Sequence, residues 1–149
     1  MSIVTTVHEA LARVLERVAG IGVVYPYPVP EASRRVPGAI VVPTREDRRP
    51  VTRDGYVRYD VEFDVWLGYP LDQRRPDVAW RAIEETVENV LRALRAPDFA
   101  DELEDAGVRF GRASSGLVRL VLRQPEAGGP FVEARITVTC SRYEKEDDG

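Results

Sequence analysis

Between Gly55 and Pro70 the chain reads GYVRYDVEFDVWLGYP, and its side chains alternate. Val57, Tyr59, Val61, Phe63, Val65 and Leu67 fall on one face, while Arg58, Asp60, Glu62, Asp64 and Trp66 fall on the other. A sustained period of two predicts a β-strand with one dry and one wetted face. The period changes elsewhere. From about Ser2 to Ala19, Ile3, Val7, Leu11, Val14, Leu15 and Val18 recur at three- and four-residue steps, the stripe of an amphipathic helix that Gly20 and Gly22 end. Glu9 and Arg13 are spaced for an i,i+4 ion pair on its outer side. A second stripe, Trp80, Ile83, Val87, Val90, Leu91 and Leu94, predicts a helix from about Asp77 to Ala96, closed by Pro97. Its acids Glu84, Glu85 and Glu88 lie early and Arg92 and Arg95 lie in the last turn, an order that complements the helix dipole.

The remaining segments carry weaker periodicity. VVYPYPVPEASRRVP contains prolines 26, 28, 30 and 37, which cannot donate to a ladder, and predicts an extended loop. GAIVV (38–42) predicts a short strand ended by Pro43. PTREDRRPVTRDG (43–55) predicts a long charged loop, with RDG as its turn signal. DFADELEDAG predicts an acidic connector with one short helical turn. VRFGR, GLVRLVLRQ and FVEARITVTCSR predict strands separated by ASSG and PEAGGP, and YEKEDDG (143–149) a flexible acidic tail. The whole predicts an α+β domain spanning 1–149. Its mostly antiparallel sheet has about four strands, with two main helices packed on the apolar face.

Composition narrows the function classes. With 44% hydrophobic and 31% charged residues over 149 positions, the chain can build a core without metal or disulfide and is not of the disordered class. A net charge of −4 gives no global basic footprint for nucleic acid. Cys140 is the single cysteine, so neither an internal disulfide nor a cysteine-based zinc cluster is available. The N-terminal MSIVTTVHEALARVLE lacks the basic-then-apolar layout of a signal peptide, and no apolar run approaches the ~20 residues of a membrane span. No cofactor motif is present: Gly107, Gly111 and Gly116 match neither a phosphate loop nor a dinucleotide fingerprint.

Four features are weighed for chemistry. Asp60, Glu62 and Asp64 project the same way, about 7 Å apart along the strand. They suit a divalent metal, an acid–base pair, an acidic wall, or a cross-strand ion-pair ladder with Arg119, Arg123, Glu133 and Arg135. Arg45, Arg48, Arg49 and Arg53, set against Glu46 and Asp47, suit a subunit or partner contact, as do the neighbouring Tyr25 and Tyr27. His8, the single histidine, sits off the first apolar stripe with no cysteine partner and reads as a surface or helix-edge residue. Cys140 alternates with Val132, Ala134, Ile136 and Val138 and reads as a small core residue. An enzyme reading has only Asp60, Glu62 and Asp64 with a metal to rest on.

The order of elements carries a resemblance. An amphipathic helix ends in glycines, a proline-rich loop leads into GAIVVP, and RYDVEFDVWLGYP is followed by the helix AWRAIEETVENVLRALRA and a terminal hairpin ending in FVEARITVTCSRYE. This resembles the tail-terminator and tail-completion proteins of long-tailed, siphovirus-like bacteriophages. The resemblance implies a structural, non-enzymatic virion protein at the head-proximal end of the tail, assembled in the host cytoplasm. Its subunits would form a homo-oligomeric ring, a hexamer, that caps the tail tube, ends its polymerisation and joins it to the head–tail connector protein. DNA would pass through the lumen without specific binding, and Asp60, Glu62 and Asp64 would line that lumen. Other head–tail joining proteins of the neck share this layout and are the alternative within the same class.

Overall fold

The computed structural model describes residues 2–51 and 55–145. Helix α1 spans Ile3–Glu16, and the Ser2 hydroxyl caps it by accepting from the Thr5 N–H at 3.1 Å. Strand β1 is Val23–Tyr25, β2 is Gly38–Val51 and β3 is Tyr56–Pro70. Helix α2 is Pro76–Arg95, α3 is Pro97–Asp105, β4 is Arg109–Val121 and β5 is Phe131–Lys145. The strands form one sheet in the order β1-β2-β3-β5-β4, antiparallel except for β1 beside β2. The class is α+β, with one more strand and one more helix than the sequence pattern predicts.

The alternation of β3 organises the layers. Val57, Val61, Phe63, Val65 and Leu67 are each at most 3% exposed. The core side chains Val61, Phe63, Val65 and Leu67 join Ala39 and Val41 of β2 and Ala134, Ile136, Val138 and Cys140 of β5. Onto that face pack Ile3, Val7, Leu11 and Leu15 of α1, Ile83, Val90 and Leu94 of α2, and Phe99 and Leu103 of α3. Fully burying side chains of this size contributes roughly 1.5–3 kcal/mol each, so this dry layer is the main favourable term of the fold.

Four expectations are corrected. First, 43–51 is not a loop: β2 runs through it to Val51, pairing with β3 from Gly38↔Gly68 to Val51↔Tyr56 across a bulge at Pro43/Arg45, while 52–54 lie outside the described residues. Its outer half shows no apolar period because Thr44–Pro50 is exposed on both faces apart from half-buried Asp47. The hydrogen-bond ladder to β3, which a hydropathy pattern does not register, makes it a strand. Second, Pro97 ends α2 and also occupies the first turn of α3, where its missing N–H has no helical partner to lose, so the acidic connector is a nine-residue helix. Third, VRFGR and GLVRLVLRQ form one strand, with ASSG absorbed by a bulge at Ser115/Val118. Fourth, Tyr143–Lys145 extends β5, leaving only 146–149 of the tail outside the described residues. Smaller shifts accompany these. Arg13 bonds Glu102 of α3 at 2.6 Å rather than Glu9, tying two helices together. The buried stripe of α2 centres on Ala79, Ile83, Thr86, Val90 and Leu94, leaving Trp80 37% exposed on the flank.

At one end of the sheet the outer face is also covered. Residues 31–36 cross it, and a Cβ added to Gly68 would stand 2.8 Å from Val36 Cγ1, so only glycine admits the crossing. Glu133, fully buried, anchors the segment: Arg34 pairs with its Oε2, and the Arg119 Nε donates to its Oε1 at 2.9 Å. Arg123 donates to the carbonyls of Glu31 at 2.9 Å and Gly129 at 2.6 Å, and also bonds the Arg34 carbonyl. Removing one partner of a buried pair strands the other charge and costs about 3–5 kcal/mol. Glu133→Ala is therefore expected to lower stability by about that amount in denaturant unfolding, whereas Arg119→Ala, at a half-exposed position, is expected to cost about 1 kcal/mol or less. Equal effects would contradict the clasp.

Candidate functional site

The outer face of the sheet, opposite the helices, carries the candidate residues. Strand register decides which of them meet. The β2–β3 ladder sets Arg45 opposite Glu62, Asp47 opposite Asp60, and Arg49 opposite Arg58. These six side chains, with Gly111, Thr139 and Ser141, line a hollow of about 290 Å³. The hollow is charge-balanced. Arg45 Nη2 lies 2.6 Å from Asp47 Oδ2, Arg49 Nη2 lies 3.7 Å from the same oxygen, and Arg58 Nε donates to Asp60 Oδ1 at 2.8 Å. Glu62 Oε1 accepts from the Thr44 hydroxyl at 3.2 Å, and Asp64 Oδ1 accepts from the Thr137 hydroxyl at 3.0 Å. Ion pairs this exposed contribute roughly 0–1 kcal/mol each, so they shape the surface more than they hold the fold.

The ladder expected across β3 and the later strands forms differently. Ser141, Thr139 and Thr137 of β5, not charged residues, stand opposite Asp60, Glu62 and Asp64. Arg119, Glu133 and Arg135 gather at the other end of the sheet, where Glu133 pairs across to Arg119. There Arg119 and Arg135 lie over the Trp66 ring at 5.0 and 5.8 Å from its centroid. In this row Asp60 pairs with Arg58 of its own strand, while Glu62 and Asp64 accept from the hydroxyls of Thr44 and Thr137. Among the described residues no group of three His, Cys, Asp or Glu side chains is placed to hold a metal ion.

The arginine and tyrosine candidates separate. Arg45 and Arg49 join the outer hollow. Arg48 alternates to the helix-side face and lies 5.9 Å from the Tyr59 ring centroid. Arg53 falls outside the described residues. The Tyr25 hydroxyl accepts from the Arg35 N–H at 3.0 Å, an internal role that ties β1 to the 26–37 segment. Tyr27 stays 69% exposed and meets His8 edge-on at 5.5 Å.

Sequence reasoning missed two features. One is Glu133, read as a member of an open ladder but fully buried; its signal was the run of arginines at 34, 119 and 123, which only the tertiary fold brings to one end of the sheet. The other is an apolar patch on β4 and beyond it, with Leu117 49%, Val118 39%, Leu120 46% and Leu122 76% exposed. The signal for the patch lay in GLVRLVLRQ, which holds more apolar positions than the helices cover.

Cys140 is 3% exposed, and burial pushes its thiol up to about 12. His8 is half-buried between Tyr27 and Phe63, not on the open surface, because Tyr27 folds back over it. Its Nε2 is shut from solvent without a hydrogen-bond partner. Burial lowers its pKa from the ordinary 6.5, opposed in part by Glu9.

No family model and no curated protein matches the chain. Among solved structures, a chain of the virion of a native gene transfer agent particle is similar to it at 12% identity and a TM-score of 0.36, over 94% of this chain and 95% of that one. No helix among the described residues is long and apolar enough to cross a membrane.

The lowered His8 pKa gives a pH prediction. Folded protein binds this proton more weakly than unfolded protein, so His8 contributes stability that is full above pH 6.5 and lost as pH falls through its folded value. With a single histidine in the chain, the slope just below pH 6.5 reports this group. Unfolding midpoints are expected to fall from pH 7 to 5.5 in the parent and to stay nearly flat in His8→Gln. Equal slopes would contradict the assignment.

Proposed function

We propose that this chain is a structural subunit of a phage-like virion, acting as a tail terminator. Its copies form a hexameric ring that caps the tail tube, ends polymerisation and presents a surface to the head–tail connector. The observation that carries this reading is the one-sided sheet. All three helices pack on the Phe63 face, while the opposite face holds Asp60, Glu62 and Asp64 in a row with no helix over them. A ring with its helices outward turns that face to the lumen. Because Arg45, Arg49 and Arg58 there balance Asp47, Asp60 and Glu62, that wall offers DNA phosphates no net attraction and lets the duplex slide, unlike the basic groove a DNA-binding protein uses. The order of elements along the sequence supports the same reading. So does the chemistry of the outer hollow, whose charges neutralise one another instead of converging on a ligand.

The test is tube capping. Tail-tube subunits polymerised with this protein are expected to give shorter tubes bearing ring density at one end in electron micrographs. Unchanged tube lengths and bare ends would overturn the terminator role.

A further inference from the structure

Three aromatic side chains meet at the start of the proline-rich segment, and the middle one can take a proton. His8 of α1 lies between Phe63 of β3, at 5.7 Å between ring centroids, and Tyr27, at 5.5 Å. Phe63 is fully buried, so the side of the imidazole able to open is the Tyr27 side. We propose that Tyr27 is an acid-opened cover, which lifts from α1 together with residues 26–29 when His8 takes up a proton. The inference stands apart from the tail-terminator reading above.

The atom that carries this is the imidazole Nε2, which is shut from solvent and has no hydrogen-bond partner. A neutral imidazole needs a proton on only one nitrogen, so it can leave Nε2 bare. An imidazolium carries N–H on both, and a buried charged donor without an acceptor is costly. Water reaches Nε2 once the Tyr27 ring moves away. The surroundings supply no substitute. Phe63 and Tyr27 are neutral rings, and Glu9 on the same helix favours the proton without outweighing burial. The helix-side charges of β2, Glu46 and Arg48, stand level with Val61 and Tyr59, whereas Pro43 is the β2 residue level with Phe63. The open form therefore binds the proton more tightly than the closed form, and acid shifts the population toward it.

The covering stretch is pinned at its ends and loose in its middle. Tyr25 closes β1, and its hydroxyl accepts from the Arg35 N–H at 3.0 Å. The Pro30 carbonyl accepts from the Ser33 N–H at 2.9 Å, and the Glu31 carbonyl accepts from Arg123 at 2.9 Å. Between these anchors, residues 26–29 make no backbone–backbone hydrogen bond among the described residues. Pro26 and Pro28 have no N–H to give. Tyr27 is 69% exposed even when closed, so lifting it uncovers little apolar surface, and its edge-on contact with His8 is what a proton has to break.

Nuclear magnetic resonance of the full chain tests this, because a single histidine gives a single imidazole signal to titrate. The titration is run on the parent, Tyr27→Ala and Tyr27→Phe, and the tyrosine ring signal missing from Tyr27→Phe is that of Tyr27. The imidazole midpoint is expected to rise toward 6.5 in Tyr27→Ala and to keep its parent value in Tyr27→Phe. In the parent, the proton–proton contact between the His8 and Tyr27 rings is expected above that midpoint and lost below it. An unmoved midpoint in Tyr27→Ala would overturn the cover. A midpoint lowered further would overturn it too, since the Tyr27 ring would then be holding the imidazolium by its face. A ring contact that survives below the midpoint would overturn the opening.

Discussion

The two-faced alternation of β3 is the constraint on which the rest of the structure depends. A strand paired on both sides cannot rotate its side chains out of the sheet plane, so one face must be dry if the other is wet. Val61, Phe63, Val65 and Leu67 fix the dry side, and α1, α2 and α3 have no other surface on which to bury their stripes. A shift of one residue in register would exchange Phe63 for Glu62 beneath the helices. The bulges lie in β2 and β4, and the pairing of β3 with β5 runs without interruption from Tyr56↔Lys145 to Pro70↔Phe131. The central pair is the rigid frame, and the irregularities sit on the strands that border it.

The wet face is divided into two environments by the same register. At the Gly68 end, Glu133 collects Arg34 and Arg119, Arg119 and Arg135 lie over the Trp66 ring, and residues 31–36 close over the sheet. Charge there is desolvated and structural. At the hairpin end, Asp47, Asp60 and Glu62 remain open to water beside Arg45, Arg49 and Arg58. Charge there is cheap to rearrange, which is what a surface meeting another chain needs. The functional reading belongs to this second environment, and the stability of the first keeps the scaffold from changing shape when contacts form.

Much of the fold was legible in the sequence because burial leaves a period. β3 and both long helices were readable from apolar spacing alone, including the side of β3 on which Asp60, Glu62 and Asp64 would stand. Elements held by the backbone ladder instead of by burial were not. The outer half of β2 carries no apolar period, β1 is three residues followed by proline, and ASSG looked like a turn because a bulge uses the same small residues. The candidate site was legible as a list and not as an arrangement. Arg45 and Arg49 meet the acids, but Arg48, one residue from Arg49, points to the other face, a difference that exists only once the segment is known to be a strand. Glu133 was misplaced for a related reason. Alternation along β5 puts it correctly on the outer face, but the covering segment comes from about a hundred residues earlier in the chain, beyond the reach of any local pattern.

The account turns on whether this subunit assembles with itself. The most direct measurement is its mass by light scattering across a concentration series, at low and high salt, alone and with tail tubes present. The account predicts a discrete species at six times the 16.7 kDa subunit mass, weakened by salt at contacts made by exposed charges. A monomer mass throughout, with none of the protein bound at tube ends, would contradict it.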